Sequence, residues 1–399
     1  MTVPGPANRS DSARILLFTG KGGVGKTTLA AASAVATAEA GHRTLVMSTD
    51  PAHSLADVLG IEVPAGVPAT VTERLSLQHI DSRMLLERSW SSVQRYLTDV
   101  MRSAGVDTLE AEELTVLPGA EEVLALLEVR DQVRSGRYDV VILDCAPTAE
   151  TLRLLALPEA LDWYMRRIWP VERKVVTALR RPLGRAAGVP MPEAHVLDAV
   201  ERLHNDLSDV RELLISDSAS VRLVLTPDTV VLAEARRTLT SLSLYGYRVD
   251  GIIANRVFAA EGGDPWREGW AKAQAVRLEQ ARADMAPLPV LTSGYGADEP
   301  IGLADLLALA QAVYPQGDPL GLPVAAPPLS LEQEEDEVAL LLSLPLAVKG
   351  QVDLAERSGE LVVTSGAYRR VIALPTLLQR YRIVGAKFSR GVLRVRFAA

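Results

Sequence analysis

The chain has one cysteine, Cys145, in 399 residues. That excludes an internal disulfide framework and any metal cage built from several thiolates of one chain. It suits a reducing compartment, and a cytoplasmic location is the expectation, with transient membrane association left open. No stretch reaches the roughly 18 unbroken apolar residues of a membrane span. The N-terminal MTVPGPANRSDSAR lacks the apolar core of a signal peptide. Basic charge is not in surplus either: 42 Lys and Arg against 50 Asp and Glu give a net charge of −8. An acidic balance argues against a nucleic-acid partner. Aromatic residues are only 5% of the chain, so any local crowding of rings stands out.

What is present is ordinary globular material, 48% hydrophobic and 23% charged. The length implies two domains or more. Residues 1–13 are small and polar and read as a disordered leader. Apolar runs at 15–18, 43–50, 138–147, 221–227 and 251–257 alternate with helical stretches. Strands apolar on both faces point to a mostly parallel sheet covered by helices on both sides, over residues 14–314. Two long helical insertions, about 81–135 and 158–215, predict a helical subdomain at one edge. A proline-rich and acidic connector is expected at 315–340, with its EQEEDE run a solvated linker or a helix start. Beyond it the period shortens. Leu393, Val395 and Phe397 alternate with arginines, so a small all-β domain is expected at 341–399.

TGKGGVGKTT (19–28) carries the chemistry. Gly20-x4-Gly25-Lys26-Thr27 is a phosphate-binding loop in a strand–loop–helix context. Gly20, Gly22, Gly23 and Gly25 let backbone N–H groups turn inward, with Val24 between them. The helix that follows offers its positive N-terminal dipole. Lys26 is expected on the β- and γ-phosphates, Thr27 on Mg²⁺, and Thr28 in the same first turn. Lys21 is one lysine more than such a loop needs. At the loop's entrance it points outward, where it could reach a nucleotide held by a facing subunit, or simply sit in solvent.

KGGVGKTT resembles the signature-lysine (deviant Walker A) loop of the dimeric ATPases. STDPAHSLADVLG (48–60) and DCAPTAETLRLLALP (144–158) narrow the resemblance to the arsenical pump-driving and tail-anchored-protein-targeting ATPases. The resemblance implies an α/β P-loop NTPase acting as a Mg-dependent, homodimeric ATPase. It implies Asp50 as the carboxylate that activates water, with Pro51 and His53 shaping the first switch. Asp144 would hold Mg²⁺ through water, and Pro147 and Thr148 would belong to the second switch. Asn255 matches the family's adenine-reading asparagine, and YGADEPIG (295–302) lies where the family closes that pocket. Cys145, Ala149 and Glu150 depart from the family's usual threonine and glycine-histidine pair. PGAEEVLALLEV (118–129) resembles a further family segment. The C-terminal strands resemble the α-crystallin-like domain appended to some bacterial members.

A single cysteine is too few for arsenite capture by several thiolates, for a Cys-x-x-Cys zinc clip or for an iron–sulfur cluster shared at a dimer axis. No zinc and no iron–sulfur cluster are therefore expected. Trp163, Tyr164, Met165, Ile168 and Trp169 crowd one insertion. They could line a groove for an apolar client segment, or pack internally or at a dimer contact. Expected partners are a second copy and hydrophobic clients or a membrane-associated protein. A transporter's energising subunit and a partition- or positioning-type switch remain as other readings.

Overall fold

The computed structural model describes residues 13–49, 54–64, 66–80, 120–145, 194–259, 264–323, 325–334, 337–357, 359–375 and 378–398. An eight-stranded sheet forms the larger unit. In chain order its strands are β1 (Arg14–Thr19), β2 (Thr44–Ser48), β3 (Ala69–Thr70), β4 (Leu75–His79), β5 (Val140–Asp144), β6 (Ala219–Leu225), β7 (Val249–Val257) and β8 (Val290–Gly294). Across the sheet the order is β3-β4-β2-β5-β1-β6-β7-β8, and all neighbours are parallel except the β3/β4 pair. The described helices are α1 (Lys26–Glu39), α2 (Ser54–Leu59), α3 (Ala120–Arg134), α4 (Ala194–Ile215), α5 (Thr229–Tyr245), α6 (Pro265–Asp284) and α7 (Leu303–Val313). None is long and apolar enough to cross a membrane among the described residues.

β1 shows why the central strands are apolar throughout. Ile15 and Leu17 face a core shared with α3, α4 and α5, while Leu16 and Phe18 face α1 and α7 on the other side. Strand side chains alternate between faces, so a strand covered on both must be apolar at every position. The alanines of α1 (Ala30, Ala31, Ala34) are fully buried and let that helix lie close to the sheet and to α7.

Charge is nonetheless buried at the β1–β6–β7 end. Asp250 and Arg222 have side chains 0% and 1% exposed and pair at 3.3 Å; Arg14 reaches the same carboxylate at 3.2 Å. Ser220 Oγ donates to Asp250 Oδ2 at 2.6 Å, and Arg222 also donates to the Pro319 carbonyl. The Arg222 guanidinium lies 5.1 Å from the Tyr314 ring centroid and 5.9 Å from that of Phe18. Burial alone would lower its pKa; Tyr314 and then Asp250 outweigh this and raise it, so it stays a cation.

The C-terminal unit is all β. One antiparallel sheet has the order β14 (Arg382–Ser389), β15 (Val392–Ala398), β10 (Glu337–Ser343), β9 (Leu329–Glu334). The other is β11 (Val352–Arg357), β12 (Glu360–Ser365), β13 (Tyr368–Ala373). Leu340, Leu342, Leu361, Val363, Leu393, Val395 and Phe397 form the core between them. This core also contains Leu244 of α5, which is 0% exposed. Arg370, 4% exposed, donates to the Leu244 carbonyl at 2.6 Å and packs over Gly246, whose φ is 93°. A cation here caps the helix's last carbonyls and complements its dipole. Thr240 Oγ1 donates to the Pro345 carbonyl as well. The β unit therefore sits on α5 through an apolar peg and a charged cap. Leu244→Ala should cost about 2–5 kcal/mol, read as a lower urea midpoint, and should speed proteolysis within 315–328.

Two expectations need correction. β9 and β10 occupy most of the second half of the stretch expected as a connector, and the described residues of its acidic run, 332–334 and 337, are strand. Leu329 and Leu331 alternate with Ser330 and Glu332, and Glu332 is exposed and pairs with Arg394 at 2.9 Å. Charge on an edge strand masked its period. The helices α3 and α4, expected within the edge subdomain, instead pack on the sheet through Leu126, Val129, Val133, Val210 and Leu214. Val210 and Leu214, four residues apart, lie on one face of α4 and meet that core.

Candidate nucleotide site

The site forms at the carboxyl ends of the central strands, where β1 lies between β5 and β6 and the chain leaves it toward β2. That is the crevice position favoured for ligands in open α/β sheets. Two glycines of the loop are demanded by packing. A Cβ on Gly20 would lie 2.1 Å from the Val224 carbonyl oxygen, and one on Gly25 would lie 2.3 Å from Asn255 Nδ2. Gly23, at φ 80°, is required by conformation. Gly22 and Gly23 are exposed, with no atom within 4 Å of an added Cβ. Their backbone is left open to a ligand.

Val24 is buried and anchors the loop's middle. Lys26 opens α1 and is itself 8% exposed; its Nζ arches back to 3.4 Å from the Lys21 carbonyl oxygen. The first turn of α1 carries no acidic residue, so the helix itself does not offset its own positive end. Thr27 and Thr28 follow in that turn, half-buried.

Asp144 ends β5 beside Phe18 of β1, and it is 1% exposed. Ser48 Oγ, from β2, donates to Asp144 Oδ2 at 3.3 Å, and Thr49 N–H donates to the Asp144 carbonyl at 3.1 Å. Asn255 reaches the loop from β7, where its Nδ2 donates to the Val24 carbonyl at 2.8 Å. The amide that the resemblance assigns to adenine is thus also a brace for the loop. Phe258 and Tyr295 stack 5.1 Å apart beyond the ends of β7 and β8, with Trp266 edge-on at 6.3 Å from Phe258.

Lys21 turns away from the cradle. Its Nζ lies 3.1 Å from Glu234 Oε2 on α5. Sequence reasoning missed Glu234, and no local signal could have found a partner 213 residues away. It missed Ser48 too, which opens the 48–60 motif itself. Cys145 is 1% exposed and packs in the core. Asp50, Pro51, His53, Pro147 and Thr148 lie outside the described residues, as do Trp163, Met165, Ile168 and Trp169.

The arrangement suits a polyphosphate: open backbone N–H groups, an inward lysine, a helix N-terminus without an acid in its first turn and a buried carboxylate one strand away. The oxygen donors Thr27 and Asp144 suit a hard cation such as Mg²⁺. Comparison with known proteins agrees. The family described as anion-transporting ATPase matches residues 13–315, and an HSP20-like domain found in ArsA matches residues 335–397. A putative arsenical pump-driving ATPase of Chlorobaculum tepidum is 36% identical over 388 residues, covering 96% of each chain. Another from Aquifex aeolicus is 33% identical, covering 94% of this chain and 98% of its own. The ATPase get3 of Aspergillus terreus is 28% identical over 63% of this chain and 75% of its own. With an intact phosphate loop and a match across its whole α/β unit, the chain belongs to the anion-transporting (ArsA) ATPase family, and it is an ATPase with an appended HSP20-like domain.

Proposed function

We propose that the protein works as a homodimer that couples Mg-dependent ATP hydrolysis to the capture and release of hydrophobic segments. The observation that carries the dimer is the outward course of Lys21, a cation at the rim of a cradle already served by Lys26. In a face-to-face pair each Lys21 would meet the nucleotide of the other copy, as an arginine finger does.

Within each cradle, loop N–H groups and Lys26 hold the phosphates, while Asn255 keeps the loop shut and meets the adenine. Mg²⁺, held by Thr27 and through water by Asp144, would neutralise charge on the β- and γ-phosphates. Ser48 orients the Asp144 carboxylate. Asp50 positions a water for in-line attack on the γ-phosphorus. The bond to the β-phosphate oxygen breaks, and ADP and phosphate leave. Closure on ATP and reopening after hydrolysis would remodel the helical insertions that hold the client.

The names of the bacterial relatives favour a second reading, the energising subunit of an arsenical pump. Its activation by arsenite through several thiolates fits poorly with a single cysteine, buried in the core. Asp50→Asn, expected to bind ATP without hydrolysing it, separates the two when used to recover partners with Mg-ATP. Lys26→Ala is the nucleotide-blind control. Recovery of many chains bearing one apolar helix supports the client reading. One integral membrane protein alone moves the assignment to a pump, and no ATP-dependent partner removes both.

A further inference from the structure

The lysine that the loop does not need has a partner within its own chain. Lys21 and Glu234 are 43% and 27% exposed, and their charged atoms are 3.1 Å apart. Two backbone features bring them together without help from the ion pair. Gly20 lies against the Val224 carbonyl, which pins the loop's entrance to the end of β6. The chain then passes through Asp228 into α5, whose Leu232, Ala235 and Leu239 pack on the same core as β6. The loop's entrance and the second turn of α5 are therefore fixed neighbours. The far end of α5 is held as well, by Leu244 inside the β unit and by the Arg370 cap. Glu234 is presented from a helix anchored at both ends, the rigid support that a positioning group needs.

We propose that Glu234 is a positioning residue for Lys21: it holds the lysine in cis, away from its own cradle, until the phosphates of a nucleotide in a second copy draw it across. The inference rests on the dimer reading and adds a condition to it. An amine paired with one carboxylate is drawn off only by a site more negative than that carboxylate. A polyphosphate qualifies and a vacant cradle does not. Closure of the pair is thereby tied to nucleotide in both copies. The restraint is also weak by construction, because a half-exposed pair is screened by salt and competes with water.

Sedimentation velocity with Mg²⁺ and a non-hydrolysable ATP analogue gives the concentration at which half the chains are paired. Glu234→Gln keeps the shape and removes the charge. Since the contact is broken once per subunit, pairing should tighten by about two- to thirty-fold. The gap between variant and wild type should narrow as salt rises from about 0.05 M to about 0.5 M. In a Lys21→Ala background, measured over concentrations that span that variant's own midpoint, Glu234→Gln should leave the midpoint unchanged. An unchanged midpoint in the wild-type background overturns the proposal, as does a shift that survives Lys21→Ala or one indifferent to salt. If the wild type does not pair with nucleotide at all, the dimer reading fails first and takes this one with it.

Discussion

Asp250→Asn should lower the stability of the α/β unit by about 3–5 kcal/mol, because it leaves the Arg222 charge buried without its counter-ion. The substitution keeps the shape, so the loss is electrostatic. Arg222 is 1% exposed and has no route to bulk water, whereas Arg14 is 23% exposed and can turn outward. Arg222 also holds the Pro319 carbonyl and stacks against Tyr314, whose hydroxyl lies 2.7 Å from Ser33 Oγ in α1. The damage should therefore reach the helix that follows the phosphate loop. Urea unfolding should show a lower midpoint with an unchanged slope. Removing both charges, as Asp250→Asn with Arg222→Met, should recover part of the loss. A double variant at least as unstable as the sum of the singles would show that packing, not unpaired charge, sets the cost.

Lys21→Ala should leave ATP binding nearly intact and lower kcat by about 10³-fold or more, the scale for a charge supplied to the transition state by another chain. Lys26→Ala should lose binding as well, since Lys26 lies inside the cradle. Mixing the two inactive proteins discriminates sharply. In a mixed pair, the Lys21→Ala copy keeps its own Lys26 and receives Lys21 from its neighbour, so one complete site is regenerated. Equal mixing should restore about a quarter of wild-type turnover, since half the pairs are mixed and each has one working site. Were Lys21 to act within its own chain, no site in the mixture would hold both lysines and the mixture would stay inactive.

The parts of the molecule legible in the sequence are those whose cause is local. β1, β2, β5, β6 and β7 read as apolar runs because each is covered on both faces, and the loop reads from its glycine spacing. β4 and β8 were missed. LSLQH buries Gln78 and His79, polar residues that break the apolar run, and VLTSG is short and half-exposed. β9 was hidden by the charge in its sequence, LSLEQE, whose Glu332 is exposed. The functional pairings are less legible still. Arg222 and Asp250 become neighbours only through the register of β6 on β7, in which Arg222 stands opposite Gly251. Lys21 and Glu234 meet because a strand end and a helix in distant parts of the chain share one core. The motif resemblance assigns Asn255 to adenine, but its bond to the Val24 carbonyl depends on the loop's fold. Spacing along the chain carries none of this.

Leu244 has one further consequence, which concerns synthesis. It belongs to a helix at residues 229–245, yet the core cluster it joins is completed by strands that run on to Phe397. At roughly 5–20 residues per second, α5 waits on the order of 8–30 s before those strands can emerge and cover it. Through that interval the nascent chain carries a bare apolar surface beside a nearly finished nucleotide site. A stop codon or a ribosomal stall anywhere within β9–β15 would leave that surface permanently uncovered. Truncated products should thus be strong clients of the cell's own holdases, although the portion already made contains every residue of the phosphate loop.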